Sequence, residues 1–445
     1  MNQPINEPIS RALIDDKRAV IGIVGMGYVG LPLALLFVRQ GYRLLGFDID
    51  DGKVEALKAG RSYLSHIGHE EIRSARDGGL FDVTTDFSRV NEVHAILLCV
   101  PTPLTEHRQP DMTYIEDTCR TLAPNLVAGQ LISLESTTYP GTTREVMKPL
   151  LEQSGLTTGE NLFLGYSPER EDPGNRDFGV RDIPKVVSGL TPECTGLMDA
   201  LYGAVFKSVN VVSSCEAAEA TKLLENIFRS VNIAMVNELK ILFDRMGIDV
   251  WEVIGAASTK PFGFMPFYPG PGLGGHCIPI DPFYLTWRAR QYELTTRFIE
   301  LAGEVNTGMP DYVVDRAADA LNDDRKSLKG SKVMLIGLAY KPNVNDDRES
   351  PAWRILELLN HKGAELSYHD PYIPRTETTR KYDFRLESEA LTPENVAAKD
   401  LVLIVTDHDN IDYGILGQHS ALVVDTRNAL RKRSVTVSPG RVVRA

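Results

Sequence analysis

A glycine-rich turn near the start of the chain constrains the fold more than any other feature. It lies between an apolar run that ends at Val24 and a stretch of apolar and small residues over 31–37. In a strand–turn–helix unit the first glycine permits a tight turn, the second lets a pyrophosphate approach the backbone, and the third lets helix and strand pack closely. The sequence therefore predicts a dinucleotide-binding βαβ unit, with cofactor contacts from Gly25, Gly27, Tyr28, Val29 and Gly30.

An acidic residue follows the second strand of this unit. Asp48 comes directly after an apolar run and lies 18 residues after Gly30. A carboxylate at this position binds a ribose 2'-hydroxyl and repels a 2'-phosphate, so NAD is favoured over NADP. We expect Lys53 to contact the cofactor as well. The alternative is a glycine-rich turn of an α/β protein that binds no nucleotide, which the register of strand, helix and Asp48 disfavours.

Alternating strand and helix patterns extend this unit along the chain. Further strand-like runs occupy 94–100, 131–134 and 185–188, which predicts a doubly wound parallel sheet in a first domain over 18–212. Residues 215–244 contain no glycine or proline and have helical periodicity, so they predict one long helix. The strand and helix alternation starts again after residue 329. The predicted fold is α/β, with two Rossmann-like doubly wound domains (18–212 and 329–445) joined by a helical region over 213–328.

Composition excludes several other classes of protein. The chain has 445 residues, 43% hydrophobic and 24% charged, which is typical of soluble globular proteins. Its formal net charge of -12 and the lack of a long basic block argue against nucleic acid as a partner. Its apolar runs are too short to cross a membrane. Five widely spaced cysteines without a Cys-x-x-Cys pair indicate neither a disulfide framework nor a metal site, and they favour the cytoplasm.

The segment 268–281, rich in glycine and proline, contains the cysteine most suited to chemistry. Such a segment builds neither a helix nor a central strand, so we expect it to present Cys277 in a fixed loop. Cys277 adjoins His276 and precedes Asp281 by four positions, a setting that favours access and a lowered thiol pKa. A purely structural cysteine is the alternative. We expect the other four cysteines to be buried and inert.

Several segments together resemble the UDP-glucose/UDP-mannose dehydrogenase family of nucleotide-sugar 6-dehydrogenases. The resemblance covers most of the chain. Its motifs are GIVGMGYVGLPLA, CVPTP (99–103), ESTTYPGTT (135–143), SPER (167–170), KLLEN (222–226), GGHCIPIDP (274–282) and GLAYKPNVNDDRESPA (337–352).

The resemblance implies an organisation and a set of site residues. It implies an NAD-binding domain, a central helical dimerisation region and a C-terminal UDP-sugar-binding domain, and hence a homodimer or a higher homo-oligomer. Cys277 would be the nucleophile, with Lys222, Asn226, Asp281 and Glu169 around the reacting carbon and Thr137 positioning water or cofactor. The remaining implied contacts are Thr102 and Arg348 for the cofactor, and Arg170, Tyr268, Gly275, Tyr340 and Lys341 for the substrate.

The implied reaction gives each residue type a reason. Two hydride transfers to NAD convert the C6 alcohol of the sugar into an acid, and a cysteine thiolate keeps the aldehyde bound as a thiohemiacetal and then a thioester. Lys222 and Asn226 are four positions apart on a predicted helix, so they share a face on which they can stabilise an oxyanion.

The sugar is predicted by resemblance alone. The histidine before Cys277 is similar to members that act on UDP-N-acetylhexosamines, with UDP-N-acetylglucosamine expected first and UDP-N-acetylmannosamine or UDP-glucose as alternatives. Where relatives often send an arginine to a neighbouring subunit, this chain has Lys260. Two other classes stay open: a two-electron hydroxyacid dehydrogenase, and a non-catalytic regulator that binds NAD or a nucleotide sugar.

Overall fold

The computed structural model describes residues 3–64, 67–105, 107, 109–171, 179–275, 278–378 and 381–445. Two compact units divide the chain. The first contains residues 1–225 and 283–294, and the second contains residues 226–282 and 295–445.

In the described part of the first unit, eight strands form one sheet in the order β3-β2-β1-β4-β5-β6-β7-β8. All neighbours pair in parallel except β6 and β7. The first six strands have the order of a dinucleotide-binding fold, in which ligands bind where the order reverses, between β1 and β4. The strands are β1 (Val20–Val24), β2 (Arg43–Phe47), β3 (Phe81–Thr84), β4 (Ala95–Leu98), β5 (Gln130–Leu134), β6 (Leu162–Tyr166), β7 (Lys185–Gly189) and β8 (Val209–Val211).

Helices cover both faces of this sheet. Because successive side chains of a strand point to opposite faces, Ile23 and Leu97 belong to one apolar core, and Val24 and Leu98 belong to another. The helices of this part are α1 (Arg11–Asp15), α2 (Gly30–Arg39), α3 (Asp51–Lys58), α4 (His69–Asp77), α5 (Thr113–Leu122), α6 (Lys148–Leu151) and α7 (Pro192–Gly203).

Two long helices and two shorter ones follow the first sheet. The predicted helix over 215–244 is confirmed as α8 (Cys215–Met246), and the absence of glycine and proline explains its unbroken length. It is followed by α9 (Val250–Ala257), α10 (Asp281–Arg290) and α11 (Arg297–Asp323). Within the described ranges, no helix combines the length and the apolar composition that crossing a bilayer requires.

The described part of the second unit contains a five-stranded parallel sheet in the order β10-β9-β11-β12-β13. Val333 and Leu335 lie in one core and Met334 and Ile336 in another, so this sheet is also covered on both faces. The predicted α/β class with two doubly wound domains and a long central helix is therefore confirmed. Its elements are β9 (Lys332–Ile336), α12 (Pro351–His361), β10 (Glu365–His369), α13 (Pro393–Ala397), β11 (Leu401–Ile404), α14 (Tyr413–His419), β12 (Leu422–Asp425), α15 (Ala429–Lys432) and β13 (Arg441–Arg444).

Candidate active site

The glycine-rich turn between β1 and α2 has the geometry that a bound pyrophosphate requires. Gly25 has a φ of 90°, and a Cβ there would lie 2.5 Å from the carbonyl oxygen of Cys99. A Cβ at Gly30 would lie 1.9 Å from the carbonyl oxygen of Gly25, so helix and turn are in close contact. A Cβ at Gly27 would meet no atom within 4 Å. The turn thus leaves open space at its middle glycine, before the first turn of α2, and this space fits NAD.

Asp48 follows β2 and fixes this turn. Its carboxylate accepts hydrogen bonds from the backbone N–H of Met26 (2.9 Å) and of Asp50 (3.0 Å), and Lys53 Nζ lies 3.5 Å away. Tyr63, which the sequence analysis missed, donates its hydroxyl to the carbonyl of Met26. Burial, and then Asp48 and Asp50, raise the pKa of Tyr63, so this hydroxyl keeps its proton and remains a donor.

The two predicted threonines lie beyond the carboxyl ends of adjacent strands. Thr102 follows β4, is buried, and accepts a 2.7 Å hydrogen bond through its carbonyl from the hydroxyl of Tyr284. Thr137 follows β5 and is half-buried. Parallel strands bind ligands at these ends, so the first unit holds both threonines on the ligand-binding side of its sheet.

A buried ionic cluster surrounds Glu169. Lys185 Nζ, on β7, lies 2.7 Å from Glu135 Oε2 and 3.3 Å from Glu169 Oε2. Burial pushes the pKa of Glu169 upward, but Lys185, the N–H of Glu171 and Lys222 together hold it below its usual value. Lys185 and Glu135 were not predicted as site residues, although Glu135 begins the segment ESTTYPGTT and Lys185 begins a predicted strand.

The first residues of α8 bind the segment that carries Thr137. Glu219, fully buried, accepts hydrogen bonds from Gly141 N (2.6 Å), Thr143 N (2.9 Å) and Thr143 Oγ1 (2.8 Å). Lys222, less than one turn later, is 8% exposed. Arg170 forms an ion pair with Glu225 at 2.6 Å and donates to the Pro184 carbonyl. Its guanidinium therefore binds protein acceptors, and its predicted role in substrate binding stays a prediction.

Two predicted catalytic residues meet in the second unit. Asn226 Nδ2 donates a 2.6 Å hydrogen bond to Asp281 Oδ2. Both side chains are buried, at 4% and 2% exposure. The sequence separates them by 55 positions, and the structure brings them into direct contact.

Two of the predicted substrate residues of the second unit, Tyr268 and Gly275, lie in the glycine-rich loop over 268–275. Tyr268 is half exposed and stacks on Trp251, with ring centroids 5.7 Å apart. Gly275 has a φ of 82°, and a Cβ there would lie 2.9 Å from Tyr340 Cε2. The loop thus packs against the Tyr340 ring, and Lys341 Nζ lies 5.8 Å from the centroid of that ring.

Arg348 is held near this loop. The Gly275 N–H donates a 3.1 Å hydrogen bond to the Arg348 carbonyl, while the Arg348 guanidinium pairs with Asp346 at 2.6 Å. The predicted contact of Arg348 with the cofactor stays a prediction.

Asp370 in the second unit occupies the same place after β10 that Asp48 occupies after β2. It accepts hydrogen bonds from Leu338 N (2.7 Å) and Ala339 N (3.0 Å), and His408 Nε2 lies 3.1 Å from its carboxylate. Asp370 is 2% exposed. These contacts fix the start of the segment that carries Lys341, and they were not predicted because they join residues that are distant in the sequence.

His276 and Cys277 lie outside the described residues. Among the cysteines that the structure describes, Cys119, Cys194 and Cys215 are buried and Cys99 is partly buried, and all four are free thiols. Burial raises the pKa of Cys119 to about 12 and also raises those of Cys99 and Cys215. These three thiols therefore stay protonated near neutral pH. In the described ranges, no group of three histidine, cysteine or acidic side chains could hold a metal ion.

Family models match the chain in three successive segments. Residues 19–206 match the NAD-binding domain of the UDP-glucose/GDP-mannose dehydrogenase family, residues 216–308 match its central domain, and residues 334–432 match its UDP-binding domain. The second sugar nucleotide in the family description is GDP-mannose, where the sequence analysis had UDP-mannose.

Individual relatives cover nearly the whole chain. UDP-N-acetyl-D-glucosamine 6-dehydrogenase of Pseudomonas aeruginosa is 37% identical over 391 residues, which is 87% of this chain and 90% of the relative. UDP-N-acetyl-D-mannosamine dehydrogenase of Salmonella typhi is 35% identical over 92% of this chain and 99% of its own. The solved UDP-D-ManNAc dehydrogenase of Pyrococcus horikoshii superposes with a TM-score of 0.84 at 28% identity, covering 96% and 98% of the two chains.

Proposed function

Because the chain belongs to the UDP-glucose/GDP-mannose dehydrogenase family, we propose that it is an NAD-dependent UDP-N-acetylhexosamine 6-dehydrogenase. It oxidises the C6 alcohol to a carboxylate, with UDP-N-acetylglucosamine as the first substrate, in the synthesis of surface polysaccharide precursors. The observation that carries the proposal is the buried contact between Asn226 and Asp281, because it unites two side chains that the family motifs predict to be catalytic. The similarity to the Pseudomonas enzyme supports the choice of sugar.

We assign the binding of NAD to the turn from Gly25 to Gly30 and to Asp48. The open space at Gly27 would receive the pyrophosphate of NAD, and the Asp48 carboxylate would bind its ribose. NAD, when bound, supplies the hydride acceptor for each of the two oxidations. The fixed turn orients the cofactor, because Asp48 and Tyr63 both bind the backbone of Met26.

The side chains of this protein carry the remaining steps. Lys222 and Asn226 stabilise negative charge on the C6 oxygen, and Glu169 and Asp281 accept protons, directly or through water. Loss of the hydroxyl proton and of a hydride from C6 gives the aldehyde. The Cys277 thiolate adds to the C6 aldehyde carbon, and the C6 oxygen takes up a proton to form a thiohemiacetal; loss of that hydroxyl proton and of a second hydride from C6 leaves a thioester. Water, positioned near Thr137, adds to the thioester carbon, and the C–S bond breaks to release the carboxylate and the thiol.

UDP-N-acetylmannosamine is the second candidate substrate. The relative from Salmonella typhi and the structural neighbour from Pyrococcus horikoshii, both named for this sugar, support it. The two sugars differ only in configuration at C2, and both keep the C6 alcohol on which the proposed chemistry acts.

We propose the three-part division 18–212, 213–328 and 329–445, with NAD bound by the first part and UDP-sugar by the last. The order of the three family segments supports it. The enzyme works in the cytoplasm, where reduced cysteines persist, and the free thiols of the described cysteines support this location.

A homodimer, or a higher oligomer built from it, forms through α8. Large apolar side chains at Phe228, Met235, Leu242 and Met246 are between 46% and 59% exposed. Their spacing of seven, seven and four places them on one face of the helix, and such an exposed apolar face is typical of a subunit interface. Light scattering tests this proposal: Leu242→Asp should shift the mass towards that of the monomer, and Val442→Asp, also at an exposed apolar residue, should not. An unchanged mass for Leu242→Asp would refute this interface.

A panel of UDP-sugars tests the proposed activity. The protein is incubated with NAD and, separately, UDP-N-acetylglucosamine, UDP-N-acetylmannosamine and UDP-glucose, and kcat/KM is measured from NADH formation. We expect the highest value for UDP-N-acetylglucosamine. A higher value for UDP-glucose would refute the N-acetyl preference, and no turnover despite tight NAD binding would instead favour a regulatory binding protein.

A further inference from the structure

We propose that Lys185 is a positioning residue that holds Glu169 as an oriented carboxylate, ready to accept a proton during sugar oxidation. This inference rests on the proposed function, because that function assigns Glu169 to the reacting site. Lys185 belongs to none of the family motifs quoted for this sequence.

The ion pair between Lys185 and Glu169 lies in the protein interior rather than at the surface. The Lys185 side chain is 3% exposed, and that of Glu169 is 15% exposed. Lys185 Nζ donates to the Pro168 carbonyl at 3.1 Å, so it also fixes the backbone next to Glu169. The rings of Tyr202 and Phe206 lie 5.6 Å and 5.4 Å from the same ammonium, which confines its position further.

The two carboxylates that bind Lys185 differ in their other hydrogen-bond donors. Glu135 has two other side-chain donors, because the hydroxyls of Ser133 and Tyr202 both bind its Oε1. For Glu169 the structure records hydrogen bonds from Lys185 and from the backbone N–H of Glu171. Removing the Lys185 ammonium would leave Glu169 with one recorded donor, the N–H of Glu171, and with Lys222 as its remaining cation, which raises the pKa of Glu169 relative to the wild type and favours its protonated form. A protonated Glu169 cannot serve as a proton acceptor.

The simplest alternative is that Lys185 only neutralises Glu135 and stabilises the fold. Both roles predict that Lys185→Met lowers stability. Only the positioning role predicts that the substitution changes the protonation of Glu169, so pH dependence separates the two.

The activity experiment compares Lys185→Met, Lys185→Arg and the wild type in kcat/KM against pH with NAD and the best UDP-sugar. We expect the acidic limb of Lys185→Met to move up by about one to three pH units, with kcat affected more than KM. Lys185→Arg keeps the charge and should stay close to the wild-type limb. The matched control is Lys207→Met, which removes a lysine that pairs with Asp182 at the surface, with a side chain 65% exposed. An acidic limb of Lys185→Met that coincides with the wild-type limb would overturn the inference.

A stability cycle tests the same inference without relying on turnover. In the wild type, the lowered pKa of Glu169 contributes stability above the unfolded value of about 4, and this is lost as pH falls. In Lys185→Met the contribution of Glu169 ionisation to stability should change sign. The ionised Glu169 carboxylate should then destabilise the fold as pH rises. Adding Glu169→Gln to Lys185→Met should therefore restore part of the lost melting temperature at pH 8 and little at pH 5.

Strict additivity of the two substitutions at both pH values would refute the coupling. If Lys185→Met does not fold, the cycle is built on Lys185→Met with Glu135→Gln, which removes one of the two buried carboxylates. If the wild type oxidises no UDP-sugar, the proposed function fails, and the stability cycle still decides the Lys185–Glu169 coupling.

Discussion

The amide of Asn226 donates a 2.6 Å hydrogen bond to the carboxylate of Asp281, and both groups are nearly inaccessible to solvent. The hydrogen bond therefore holds the Asp281 carboxylate and the Asn226 amide in one orientation relative to each other. This contact makes the roles proposed for Asn226 and Asp281 testable by single substitutions.

Asn226→Asp replaces the donor with a second carboxylate. Two carboxylates at this distance do not both ionise near neutral pH, so we expect kcat to fall at least about a hundredfold and the acidic limb of the pH profile to move upward. The control is Asn232→Asp on the same helix, whose amide binds the Phe228 carbonyl and which should lose far less activity. Equal losses in the two variants would contradict the assignment.

Gly275→Ala tests the packing of the glycine loop on Tyr340. The positive φ and a Cβ only 2.9 Å from the ring make any side chain strained there, so we expect a loss of about 1–3 kcal/mol in unfolding free energy and a raised KM for UDP-sugar. Gly196→Ala is the matched control, because this helical glycine has no atom within 4 Å of its added Cβ. It should stabilise the protein by about 0.4–1 kcal/mol. A normal KM for Gly275→Ala would rule out a role of this loop in substrate binding.

The buried side chain of Lys240 should make the stability of the protein depend on pH. Burial lowers the pKa of this lysine to about 8, against an unfolded value near 10.4, so the charged form of Lys240 destabilises the folded state. Below pH 8 the folded protein bears the full free-energy cost of burying the charged lysine. Between pH 8 and about 10 the buried lysine is neutral in the folded state, so the free energy of unfolding rises with pH. Lys240→Met should therefore raise the free energy of unfolding by up to about 3 kcal/mol at pH 7, with a smaller gain at pH 10. Lys58→Met, at an exposed lysine, should change little, and a gain for Lys240→Met that is independent of pH would contradict this explanation.

Asp48→Asn tests cofactor choice. The amide oxygen can still accept from Met26, but the negative charge that repels a 2'-phosphate is lost. We expect the ratio of kcat/KM for NAD to that for NADP to fall at least about tenfold. Asp51→Asn, at the exposed start of α3, serves as the control. An unchanged ratio would show that Asp48 fixes the turn but does not discriminate between NAD and NADP.

The sequence predicted those features whose chemistry is local. The turn from Gly25 to Gly30 and the acid at position 48 have fixed spacing, because one βαβ unit contains them all. The long helix α8 was equally predictable from the absence of glycine and proline. Short strands such as Phe81–Thr84 and Val209–Val211 were missed, because three or four residues contain too little of a period-two pattern.

Contacts between distant segments were harder to predict. Asn226 and Asp281 were named because both lie in family motifs, but their hydrogen bond required the fold. Lys185 was missed because a lysine at the start of a strand is usually exposed, and only the pairing of β7 with its neighbours buries it beside Glu135. The contact between Asp370 and His408 was missed because 38 positions separate the two residues.

Cys277→Ser tests the covalent step. Serine keeps the shape of the side chain but lacks the nucleophilic thiolate, so we expect acid formation to fall at least about a thousandfold, without a trapped acyl-enzyme. The control is Cys119→Ser, because this thiol is buried in the first unit and its raised pKa keeps it protonated. A near-normal rate of acid formation by Cys277→Ser would refute the thioester mechanism.

The stoichiometry of the reaction tests the central claim most directly. The wild type is incubated with excess NAD and a limiting amount of the preferred UDP-sugar, and the NADH formed is counted against the uronic acid formed. Two successive oxidations of C6 at one site require two NADH per acid, with no free aldehyde. A ratio of one, or release of a two-electron product, would contradict the account.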